Sequence, residues 1–71
     1  MKESECETYA ILVRGEISPR RTGWFEDLTM TPVGGGYTLL TGQMPDQAAL
    51  HGILARIRDL GLPLEAVLAL R

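Results

Sequence analysis

Residues 46–61, DQAALHGILARIRDLG, constrain the fold more than any other stretch of the chain. Leu50, Ile53, Leu54, Ile57 and Leu60 recur at three- and four-residue spacing, which at 3.6 residues per turn draws one apolar stripe down a helix. Asp46 carries a side-chain oxygen able to accept from the free amides of the first turn, and Gly61 is the residue type that ends a helix in left-handed geometry. Such a helix must lay its stripe on another apolar surface, and the rest of the sequence offers strands to make one.

The first strand is TYAILVR, where the apolar run Tyr9 to Val13 suits a central position buried on both faces. LTMTPV and YTLLTGQM flank Gly34-Gly35-Gly36, and the pair predicts a hairpin whose turn needs positive φ angles. Pro32 cannot donate to a ladder, which places the first of these two strands at a sheet edge. After Pro63, LEAVLAL resumes strand character. Ser18-Pro19 has the form of a helix start, while Gly23 weakens the middle and Glu26-Asp27 oppose the negative end, so the expected helix is about two turns, Pro19 to Glu26. The order is then β-α-β-β-α-β, an α+β ferredoxin-like split βαβ plan with an antiparallel sheet and two helices on one face, the first of them short. Right-handed crossovers place the first and third strands centrally and the second and fourth at the edges. A five-element order lacking the short helix is the structural alternative.

Seventy-one residues make one domain near the lower size limit for stability by burial alone. Residues 1–7 are expected to form a disordered acidic leader, with the single α+β domain at 8–71. The balance of 45% hydrophobic and 23% charged residues is globular rather than disordered. Cys6 is the only cysteine, so no disulfide closes within the chain and no cysteine-based zinc site assembles, a usage that fits a reducing cytoplasm. The start lacks the basic and apolar regions of a signal peptide, and no apolar run nears the roughly 18 residues that span a bilayer. A net charge of -2 makes nucleic acid an unsuitable partner, since a general binder needs a basic field.

Candidate contacts for a ligand or partner fall in two places. In SPRRTGWFEDL, Arg20 and Arg21 occupy a first helical turn where the dipole does not favour them, which leaves them to meet an anion or an acidic surface. Trp24 beside them is a candidate contact, although at least one of Trp24 and Phe25 is expected to anchor the core. On the long helix, Gln47, His51 and Arg58 share a flank able to hold an anion, yet no nucleophile or second acid-base group accompanies the one histidine. A boundary histidine covering the core edge is the plainer reading, and no catalytic residue, metal ligand or cofactor is assigned.

Two surfaces are candidates for oligomerisation. Ala48, Gly52 and Ala55 line a helix face where lysines and glutamates are usual, and Gly52, costly inside a helix, suggests that another backbone comes close. The sheet face away from the helices is assigned Ala10, Leu12, Thr29, Thr31, Val67 and Ala69, apolar for a surface in water. Leu12, Ala48, Gly52, Ala55 and Val67 are therefore the candidate interface residues of an expected homodimer. Several known chemistries lack their residues here. The triple glycine joins strand to strand, unlike a phosphate-binding loop, and the strand aromatics Tyr9 and Tyr37 lack the signature of an RNA-recognition motif. The paired cysteines of a heavy-metal domain and the asparagine of an acylphosphatase are missing.

Arg14-Gly15, Trp24-Phe25, the glycine turn before Thr38-Leu39-Leu40, and above all DQAALHG and RIRDLGLPL within Asp46 to Leu64 carry a resemblance. The chain resembles a family of small, single-domain bacterial proteins without an assigned biochemical function, over about Tyr9 to Val67. The resemblance implies no catalytic residue, ligand or partner. The expected role is a small cytoplasmic protein-interaction module, acting as a homodimer or as a subunit that binds a partner protein. An ACT-like regulatory domain that binds a small ligand is the alternative, without an identifiable ligand-binding glycine loop. A small enzyme using His51 across a subunit boundary is the third.

Overall fold

The computed structural model describes residues 7–17, 23, 25 and 28–70. The elements are β1 (Glu7–Arg14), β2 (Thr29–Pro32), β3 (Tyr37–Met44), α1 (Gln47–Leu60) and β4 (Leu64–Leu70). They form one four-stranded sheet in the order β2-β3-β1-β4, with every neighbouring pair antiparallel. The central strands are the first and third and the edges are the second and fourth, as the crossovers and Pro32 require.

The two-helix ferredoxin-like plan is corrected by this structure. Among the described residues α1 is the one α-helix, and the order is the five-element β-β-β-α-β. Most of the expected first helix lies outside the described residues, but Gly23 and Phe25 have 3₁₀ rather than α geometry. The Phe25 carbonyl accepts from the Leu28 amide at 2.8 Å, a tight i to i+3 turn that leads into β2. Phe25 at 1% exposure and Leu28 at 9% are buried here, and a turn supplies such anchors as well as a helix does. The comparison with ACT-like domains, which rested on the two-helix plan, loses its topological basis.

α1 forms where its stripe and caps place it. The Asp46 carboxylate accepts from the Ala49 amide at 2.9 Å, and Gly61, at φ 76°, turns its amide back onto the Arg58 carbonyl. Leu50 and Ile57 are buried, and Ile53, Leu54 and Leu60 pack around the core with them. The hairpin turn also needs its glycines: Gly34, Gly35 and Gly36 take φ of 83°, 64° and 82°, a run of left-handed backbone that side chains with a Cβ disfavour.

Directly paired residues of a sheet share a face, so the register divides the side chains cleanly. The helix side carries Met30, Leu40, Ile11 and Val67 in one cross-strand row, with Tyr9 and Ala69 in the next. The core is built on this side from Tyr9, Ile11, Val13, Leu40 and Met44 against Phe25, Leu28, Leu50 and Ile57. Thr38 is the buried polar residue among them, and its hydroxyl donates to the Gly15 carbonyl at 2.7 Å.

The open side carries Thr31, Leu39, Leu12 and Ala66 in one row and Thr29, Thr41, Ala10 and Leu68 in the next, followed by Gln43, Thr8 and Leu70. The assignment of Val67 and Ala69 to this side is therefore corrected. They lie with Ile11 and Tyr9 on the helix side, and Ala66, Leu68 and Leu70 take the open one.

Candidate functional site

The open face of the sheet is the surface that the fold leaves least explained. Ala10, Leu12, Leu39 and Ala66 are half-buried. Leu68 and Leu70, on the outer strand, are 59% and 42% exposed. Threonines and Gln43 frame this apolar centre. The charge on it is gathered at one end, where Arg14 reaches Glu65 at 3.5 Å and lies 5.7 Å from the centre of the Tyr37 ring. The hydrogen bond to Tyr37, and after it the Glu65 carboxylate, hold the Arg14 guanidinium even more firmly protonated than usual. A cation committed in this way marks the rim of a surface rather than a site that takes or gives a proton.

β4 is exposed more completely than any other strand. Six of its seven residues are exposed, and Ala66 is the half-buried one. On the helix side, Leu64 and Val67 are 48% and 37% exposed, so α1 leaves them uncovered. Among the described residues no strand pairs with the outer edge of β4. The register also slips between Leu12 and Val13, so that Glu65 is the extra residue on β4.

The structure separates the other candidates. Arg20, Arg21 and Trp24 lie outside the described residues. Gln47, His51 and Arg58 are all exposed on α1, but they do not form a cluster. Arg58 pairs with the adjacent Asp59 at 3.5 Å, and among the described residues His51 has no hydrogen-bond or ion-pair partner. Ala48 and Gly52 are exposed and Ala55 half-buried. Among the described residues a Cβ added at Gly52 would meet nothing within 4 Å, so no described backbone explains the glycine.

Gly52 instead helps to line a cleft of about 260 Å³ between α1 and the end of β3, with Met44, Ala49 and Arg56. A second hollow of about 370 Å³ lies at the other end, against Ile17, Met30 and Thr38. Among the described residues neither brings together an acid-base pair. Among the described residues no three histidine, cysteine, aspartate or glutamate side chains approach closely enough to hold a metal ion. No helix of the described residues is long and apolar enough to cross a membrane.

Sequence reasoning placed Ala10, Leu12, Thr29 and Thr31 on the open face and missed Leu39, Leu68 and Leu70. The signal that finds them is the pairing register. Once Leu12 is opposite Leu39 and Ala66, the alternate residues follow.

A family model matches residues 8–68, and its description is Domain of unknown function (DUF8691). No curated protein and no solved structure matches the chain.

Proposed function

The chain belongs to the DUF8691 family, which supplies no activity to inherit, and from its surface we propose that it is a small cytoplasmic protein-interaction module. It acts as a homodimer or as a subunit that binds a partner protein. The observation that carries this reading is the apolar open face, continuous from Leu39 through Leu12 to Leu68 and Leu70. Leucines left in water across adjoining strands are a cost that covering by another protein removes. The single cysteine of the sequence supports a reducing compartment.

The test is solution mass by light scattering over a hundredfold dilution, together with cross-linking in cell extract, for the natural chain and for Leu68→Glu. The substitution places a charge where the side chain is already 59% exposed, so the monomer is expected to keep its fold by circular dichroism. The expected result is an assembly or a cross-linked adduct that the variant loses. A natural chain that stays monomeric and forms no adduct sensitive to Leu68→Glu would reject the proposal.

A further inference from the structure

The two edges of the sheet are built differently. β2 is four residues long and ends in Pro32, both of which discourage another strand from adding to it. β4 is seven residues long and has no proline, lysine or arginine. Its bulge and its one charge both fall at Glu65, near one end, so Ala66 to Leu70 remain an apolar edge that can template a further strand.

We infer that a second copy of this chain pairs with β4, antiparallel across a two-fold axis near Val67, to make one continuous eight-stranded sheet. This rests on the interaction reading above and names the partner and the contact. The argument for a second copy is the self-complementarity of LEAVLAL. With Val67 opposite Val67, Ala66 meets Leu68 of the partner strand, and the bulge puts Glu65, the one charge, outside the regular pairing. Glu65 is also already paired with Arg14 in its own chain.

The geometry accounts for exposure on both faces of β4. A two-fold perpendicular to the sheet keeps both helices on one side. Val67 and Ala69 of the two copies then form the floor of a trough between the helices, where Leu64 and Val67 now stand in water. On the other side, Leu68 and Leu70 of the two copies adjoin, doubling the apolar face. An isologous contact of this kind closes at two copies and stops. Face-to-face stacking of the open sides, by contrast, leaves Leu64 and Val67 uncovered.

The experiment uses the full chain and two substitutions on opposite faces. Val67→Lys places a charge on the helix side at the two-fold, and Leu12→Glu places one on the open face of β1. The expected result is a dimer for the natural chain, dissociation of Val67→Lys at concentrations about tenfold higher or more, and retention of the dimer by Leu12→Glu. Hydrogen exchange of the natural chain supplies a readout without substitution. Amides of Leu64–Leu70 should gain protection as concentration rises, while those of Thr29–Thr31 should not. A dimer abolished by Leu12→Glu but kept by Val67→Lys would overturn the edge contact and leave the interaction reading standing. A natural chain monomeric at every concentration, or exchange at β4 independent of concentration, would also overturn it. Only the added absence of any adduct sensitive to Leu68→Glu would remove the wider reading.

Discussion

Gly52 shows how a single residue can carry two opposite expectations. A glycine inside a helix costs about 1 kcal/mol relative to alanine, and here its Cβ would point into open space. Gly52→Ala is therefore expected to stabilise the isolated chain by about 1 kcal/mol, roughly 4–8 °C in thermal midpoint. The change is read by calorimetry at low concentration. A gain in stability with no loss of association would show that the small-residue stripe is not a contact. Tyr9 gives a prediction in pH. Burial, and after it the neighbouring Glu7 carboxylate, push the Tyr9 phenol above its ordinary range. A proton held more tightly in the folded state stabilises fully below the unfolded pKa, near 10, and that contribution is lost as pH rises through the folded value. Denaturant midpoints should fall above about pH 10, and Tyr9→Phe should lessen that fall.

Among elements, α1 is the most legible because its signals are local. Stripe, cap and stop lie within one segment, and each is found where the sequence places it. Asp46→Ala removes the acceptor for the Ala49 amide and should cost about 0.5–2 kcal/mol, measured by urea denaturation. The hairpin and the edge position of β2 were equally legible, from the glycines and from Pro32. The faces of β4 were not. LEAVLAL is apolar at both parities, so alternation cannot say which set points inward, and leucine is no better a guide than valine. The decision is made by pairing with β1, and by the slip at Glu65 that sets the phase of the strand. The first helix was also over-read. Ser18-Pro19 lies outside the described residues, but Gly23 and Phe25 take 3₁₀ geometry, from which Phe25 and Leu28 can seal the core.

At the scale of the whole molecule, the candidate site is a consequence of unequal cover. Among the described residues, α1 together with Phe25 and Leu28 shields β3 and β1 on one side and leaves the opposite face and the outer strand exposed. None of this was visible as a motif, because it concerns what lies over what rather than which residues stand together. It is also why the described residues leave an apolar surface uncovered. Thr8 lies beside Leu70 in the sheet, so the contact that docks β4 joins the two ends of the fold. Closing so long a loop is slow compared with forming α1 or the glycine hairpin. During synthesis β1 emerges early and must wait for the last strand, with one long side unoccupied. The order of synthesis thus leaves the central strand β1 half-paired until β4 is made, and crowded nascent chains would be most prone to exchange strands at that stage.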